Sequence, residues 1–184
     1  MNDEKLMEKT VEEKIIFDGR IITVYHNKAM LPDGTTAMRE IVAHPGGVCV
    51  AALTDNDELL FVRQYRSPYD EIVTELPAGK LERGEDPLEA GVRELSEETG
   101  ATAESVVSLG KLYPTPGYCG EIIHLYLARG LSFGDQHVDD DEFLDVLRIP
   151  LSEAVDMVMR GELPDSKTQT AVLKVARLKE RGAL

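Results

Sequence analysis

Glu94, Glu97 and Glu98 fall at i, i+3 and i+4 spacing within GKLERGEDPLEAGVRELSEETGA, residues 79–101, so a helix would carry all three carboxylates on one face. Arg93 stands four residues before Glu97, close enough on such a helix to pair with it and fix its orientation. Grouped carboxylate oxygens are the hard ligands that Mg²⁺ and Mn²⁺ prefer. A cation held there could polarise a phosphorus centre, ionise a bound water and neutralise a leaving phosphate. The same spacing also describes an ordinary solvated acidic face, since exposed like-charge pairs on a helix cost only about 0.2–0.5 kcal/mol each. The helix by itself does not choose between the two.

Both ends of this helix are written in the chain. Asp86 reads as an N-cap, Pro87 as the first helical residue, and Glu89 sits where a capping-box glutamate would reach back. Gly100 is the C-terminal stop. Leu88, Val92 and Leu95 recur at helical spacing and are expected to face a core.

The frame around the glutamates is more specific than the helix. Gly79, then Glu85 after five residues, then Arg93-Glu94-Leu95-Ser96-Glu97-Glu98-Thr99-Gly100 resembles the Nudix box, a loop–helix–loop signature of the form GX5EX7REUXEEXGU. Every fixed letter is present, and Ala101 stands where a larger aliphatic residue is usual. The resemblance implies an α/β fold, a Nudix α/β/α sandwich with a mixed sheet, and divalent-metal hydrolysis of a diphosphate linkage. It also implies roles: Glu94 and Glu98 as metal ligands, Glu97 as a further ligand or a group positioning water, and the Ala78 carbonyl as an additional ligand. Glu85 would brace the loop and Arg93 would orient a glutamate. The expected cofactor is Mg²⁺, with Mn²⁺ as the alternative.

At 184 residues with 42% hydrophobic and 29% charged residues, the chain suits one domain with a small appendage and can bury a substantial core. A formal net charge of −14 argues against nucleic acid as a partner. No apolar run is long enough to span a bilayer, and the N-terminus MNDEKLMEKTVEEK lacks the apolar segment of a secretory signal. Cys49 and Cys119 lack metal-ligand spacing and read as reduced residues of a cytoplasmic protein.

Ahead of the box, VEEKIIFDG, RIITVYHNKAML and TTAMREIVAH read as three antiparallel strands, the last two joined by a turn at Pro32-Asp33-Gly34. This small N-terminal antiparallel sheet, residues 1–44, is too small to bury both faces alone. Pro45-Gly46-Gly47 is the expected boundary to a catalytic domain over residues 45–184. There GVCVAALT and ELLFVRQYR are expected to form a buried hairpin, EIVTEL a short strand, and Ala78-Gly79 a loop. Two strands flank the loop Pro114–Gly120, a last strand follows the acidic stretch Asp139-Asp140-Asp141-Glu142, and two helices close the chain, the first capped by Ser152.

The box names a reaction class and leaves the substrate to residues outside it. Pro116, sixteen residues beyond Gly100, the N-terminal strands, VRQYR and ELPAGK together are similar to the ADP-ribose pyrophosphatase branch of the Nudix family. That resemblance implies that Arg66 binds the diphosphate and that Arg39 is delivered from the partner of a homodimer whose N-terminal sheets are exchanged. It further implies that Glu121 contacts the terminal ribose and that the general base lies on the acidic loop, at Glu142 or Asp140. Arg20 could stack on the adenine. Arg66 and Arg39 also have a plain reading as surface charges. The expected activity is hydrolysis of ADP-ribose to AMP and ribose 5-phosphate, with two alternatives: another nucleoside diphosphate sugar or dinucleotide as substrate, or a module that binds ADP-ribose without cleaving it.

Overall fold

The computed structural model describes residues 3–138 and 142–184, and the chain divides into two compact units. The first comprises Met1–Gly46 with Tyr113–Ile122, the second Gly47–Leu112 with Ile123–Leu184.

In the first unit, β1 (Lys9–Glu12) and β2 (Ile15–Asp18) pair with one edge of β3 (Thr23–Met30), and β4 (Thr36–Ala43) pairs with its other edge, all antiparallel. The first expected strand is therefore broken in two. Lys14 marks the bend, yet stays tied to β3: its N–H donates to Asn27 Oδ1 at 3.3 Å and its carbonyl accepts from the His26 N–H at 2.8 Å. The turn between β3 and β4 forms as expected, with Asp33 Oδ1 accepting from the Thr35 N–H and hydroxyl and Gly34 at φ 85. The loop Pro114–Gly120 belongs with this sheet. Val42 donates its N–H to the Tyr118 carbonyl and accepts from Gly120, both at 2.8 Å. Val11, Ile15, Ile16, Phe17 and Met38 remain exposed.

The second unit is built around β5 (Gly47–Ala52). Side chains alternate along a strand, and here each face meets a different core. Cys49 and Ala51 join Leu59, Phe61, Leu125, Leu127, Val172 and Val175. Val48, Val50 and Ala52 join Leu60, Ala90, Leu95 and Tyr126 on the other side. Burial on both faces is the reason this segment reads as an unbroken apolar run.

The expected hairpin with β6 (Glu58–Arg66) is not formed beyond a single bridge, Leu53 to Leu59. Instead β6 lies between β7 (Glu71–Glu75) and a strand near the C-terminus, while β5 pairs with β8 (Ala78–Lys80), the segment expected to be loop. Helix α1 (Pro87–Thr99) follows, then β9 (Ala101–Leu112) and β10 (Ile123–Phe133), which runs parallel to β5 and antiparallel to β9. β11 (Leu144–Pro150) completes the three-stranded sheet on β6. Helices α2 (Leu151–Arg160) and α3 (Ser166–Glu180) cover the face opposite α1, giving the α/β/α layering. Ser152 does not cap α2; Pro150 takes the cap position without a side-chain bond.

Cys49 and Cys119 are both free thiols, the first wholly buried on β5 and the second partly exposed beside β4. No helix among the described residues is long and apolar enough to cross a membrane.

Candidate active site

Helix α1 begins and ends as its sequence dictates. Asp86 Oδ1 accepts from the N–H groups of Leu88 at 2.8 Å and Glu89 at 3.3 Å, satisfying donors that the first turn leaves free. Gly100 closes the helix at φ 67. Of the three residues expected to face a core, Leu95 does; Leu88 and Val92 are 42% and 44% exposed, and Ala90, Gly91 and Glu98 are buried in their place. Small residues let the helix approach the sheet closely; a Cβ on Gly91 would stand 3.2 Å from the Tyr126 ring. Glu98 is thereby carried inward with the core face.

Arg93 gathers the glutamates of the motif. It holds Glu85 with two bonds, Nε to Oε1 at 2.8 Å and Nη2 to Oε2 at 3.1 Å. Its Nη1 donates to Glu94 at 3.0 Å and to Glu97 at 2.8 Å. The guanidinium is accordingly held above its ordinary pKa, first by the Glu85 bonds. Glu85 also accepts from the Glu82 N–H at 2.9 Å, which braces the loop before the helix. Gly79 has a steric reason to be glycine, because a Cβ there would overlap the Glu94 carboxylate.

Glu98 is 3% exposed. Its Oε2 accepts from the Ala78 N–H at 2.9 Å. Oε1 has no partner among the described residues, and since none of their buried side-chain oxygens lacks one, it opens to solvent. Burial pushes the Glu98 carboxyl up to about 8, with the negative charges of Glu94, Glu142 and Glu75 adding to the effect against the Ala78 bond. Glu94 is raised mainly by burial, and Glu142 contributes there too. Carboxyls kept from ionising by burial and by one another gain most from a nearby dication, which reverses both effects.

The donor set fits a hard divalent cation: carboxylate oxygens, one of them open, with a backbone segment against Glu98. Among the described residues no three His, Cys, Asp or Glu side chains already converge for an ion.

The segment after β10 is tied to the end of this helix. Gly134 donates to the Gly100 carbonyl at 2.8 Å, the Gln136 side-chain amide to the Glu98 carbonyl at 2.6 Å, and the His137 N–H to the Glu97 carbonyl at 3.0 Å. These bonds satisfy carbonyls the last helical turn leaves open. Glu142 is exposed and lines a cavity of about 550 Å³ with Arg63, Tyr65, Gln136 and Phe143. Asp140, the other candidate base, lies outside the described residues.

Arg66 belongs to the same unit. Its Nε donates to Glu75 Oε1 at 2.6 Å. Glu75, 2% exposed, is not singled out by the sequence, nor is Lys167, whose ammonium is bonded to Glu75 Oε2 and lies 3.1 Å from Asp165. Burial opposes the charge on Lys167, but Glu75 and Asp165 outweigh it and hold the ammonium above its ordinary pKa. A lysine in the first turn of α3 works against the helix dipole, and that is the one signal the sequence offers.

Arg39, Glu121 and Arg20 lie in the first unit. Arg39 is paired with Glu8 and shares a cavity of about 290 Å³ with Thr10, Pro116 and Cys119. Glu121 lies 3.5 Å from His44 Nδ1. That nitrogen also accepts the Gly46 N–H at 3.1 Å. Arg20 is exposed in the turn between β2 and β3.

Residues 43–170 match the family model described as the NUDIX domain. The chain is 41% identical over 179 residues to the ADP-ribose pyrophosphatase of Bacillus subtilis (strain 168), covering 96% of each chain. It is 44% identical over 167 residues to the methanol dehydrogenase activator of Bacillus methanolicus, covering 90% of each. A crystal structure of an ADP compounds hydrolase superposes with a TM-score of 0.83 at 23% identity, over 96% of this chain and 97% of the other. The intact glutamate motif, the layered fold that holds it and these similarities agree, and the chain belongs to the NUDIX family.

Proposed function

We propose that this protein hydrolyses the diphosphate bond of ADP-ribose to AMP and ribose 5-phosphate. The observation that carries the reading is the placement, in one compact unit, of a buried and a half-buried glutamate and of an arginine whose terminal nitrogens have no partner among the described residues: Glu98 and Glu94 for a cation, Arg66 for a diphosphate. The choice of substrate rests on the relative that is 41% identical over nearly the whole length.

Glu94 and Glu98 would hold Mg²⁺ or Mn²⁺, with Glu97 and the Ala78 carbonyl as further ligands. Such a cation supplies Lewis-acid polarisation and a more acidic water. Arg66 binds and orients the diphosphate. Water adds to one phosphorus, the bridging P–O bond breaks, and the water's proton passes to the Glu142 or Asp140 carboxylate. Arg93 takes no part in bond making; it keeps Glu85, Glu94 and Glu97 in place.

Residues 45–184 form the catalytic domain in this reading, and residues 1–44 a sheet exchanged in a homodimer that supplies Arg39 to the partner's site. Support comes from the exposed apolar side chains of β1, β2 and β4, which a sheet of this size cannot cover itself. Glu121 and Arg20 would contact the ribose and the base. The two free thiols support a reducing, cytoplasmic location.

Product analysis after incubation with ADP-ribose and Mg²⁺ tests the proposal. AMP and ribose 5-phosphate in equal amounts are expected. Intact ADP-ribose beside rapid turnover of another nucleoside diphosphate sugar would move the substrate, and saturable binding without any cleavage would make the protein a binding module.

A further inference from the structure

Among the described residues, Arg66 is held by one of its side-chain nitrogens. Nε donates to Glu75 Oε1, and among the described residues the two terminal nitrogens have no partner. A guanidinium beside a carboxylate commonly takes it with two parallel bonds, because the two groups match in shape. Arg39 holds Glu8 that way in this chain. At Glu75 the second oxygen is already occupied by the Lys167 ammonium. Lys167 is itself anchored by Asp165, whose Oδ2 the Thr168 N–H fixes at 2.9 Å. Helix stability does not account for a buried cation at this end of α3, where the dipole disfavours it.

We propose that Lys167 is a positioning residue for the diphosphate-binding arginine: by occupying Glu75 Oε2 it restricts Arg66 to one bond and leaves the terminal nitrogens of the guanidinium for phosphate oxygens. The charges agree with this role. Lys167 and Arg66 face Glu75 and Asp165, so Glu75 is shared between two cations and does not cancel Arg66 alone. Without Lys167, Arg66 would close on both oxygens of Glu75 and withdraw its fork. The inference rests on the proposed role of Arg66.

The test is steady-state kinetics with ADP-ribose and Mg²⁺ on three proteins. Lys167→Met is expected to raise KM about tenfold with kcat within about twofold, the pattern of lost ground-state binding. The double variant Glu75→Gln/Lys167→Met removes both buried charges. The amide oxygen it introduces can accept from Arg66 Nε, while the amide NH₂ cannot accept a second bond, so KM should return to within about threefold of wild type. A lower melting temperature in Lys167→Met with unchanged KM would reduce Lys167 to a structural role and overturn the proposal. A double variant with KM as high as the single one would also overturn it.

A second readout needs no variant. In the wild-type protein the Arg66 Nε proton should be protected from solvent exchange, and the terminal Nη protons should shift when inorganic pyrophosphate is added. Protected Nη protons that ignore pyrophosphate sink the idea. Should wild type leave ADP-ribose intact, the substrate assignment falls separately, and calorimetric titration of the three proteins with pyrophosphate and Mg²⁺ gives the same ranking or overturns the positioning role.

Discussion

Arg39 in the first unit and Arg66 in the second each bind a glutamate, but in opposite settings. Arg39 meets Glu8 through two bonds, at 2.9 and 2.6 Å, with both side chains open to water. Arg66 meets the buried Glu75 through one. Exposed ion pairs contribute little and exchange readily for water or another anion. A buried carboxylate cannot be left unpaired, so its partners are fixed. The first unit therefore carries a loosely held arginine that a substrate could capture from Glu8, and the second a rigidly aimed one. The same contrast separates Glu8, held below its ordinary pKa by the Arg39 bonds, from Glu98, raised by burial.

The largest effect is expected from the buried side of this comparison. Glu98→Gln should lower turnover by about a thousandfold or more while circular dichroism stays unchanged; a fully active variant would remove Glu98 from the site. A pH signature accompanies it in metal-free protein. Because the folded Glu98 carboxyl titrates near 8 against an ordinary value of 4.5, the folded state binds the extra proton between those values. Stability is then greatest below about pH 4.5 and falls as pH rises through 8. The melting temperature should drop on the order of 5 °C between about pH 5 and 8. Mg²⁺ or Glu98→Gln should flatten the slope, and a slope that survives both would place the raised group elsewhere.

Arg66→Ala comes next, with KM for ADP-ribose raised roughly thirtyfold and a smaller change in kcat. Arg39→Ala is expected to raise KM only about fivefold, as befits a contact lent by an exposed side chain. Equal effects at the two arginines would erase the distinction between them. The smallest change belongs to Glu8→Gln: a melting temperature within about 2 °C of wild type and a KM lowered by up to about twofold, as Arg39 is released. A large loss of stability would show that the Glu8 pair is structural after all.

What can be read from the chain follows the range of the interactions. Each cap bonds within its own helical turn, and Arg93 lies one turn from Glu97, so local spacing specifies them. Glu75 and Lys167 meet across 92 residues, and no local pattern announces such a pair. Hydrophobic periodicity places Leu95 of α1 correctly but not Leu88 and Val92, which stay exposed because the remaining contact is made by Ala90 and Gly91, with Glu98 beside them. The apolar run of β5 is readable as doubly buried, yet composition does not name a strand's neighbours, and β8 and β10 flank it where β6 is expected. The site roles of Arg39 and Glu121 come from family likeness alone, that of Arg20 from the stacking its guanidinium allows, and all three lie in the other unit.

The two cysteines turn the division of the chain into something that can be timed. Cys119 lies in the first unit and Cys49 in the second. Only a thiolate reacts with a disulfide reagent, and the Cys49 thiol is buried and raised well above its ordinary range. Its modification must therefore wait for the strand to open, whereas Cys119 can react from the folded protein. A stopped-flow trace with such a reagent should resolve two steps of equal amplitude, a fast one and a slow one. The slow step is a clock for the opening of β5, the strand between the two cores, and Mg²⁺ should slow it alone.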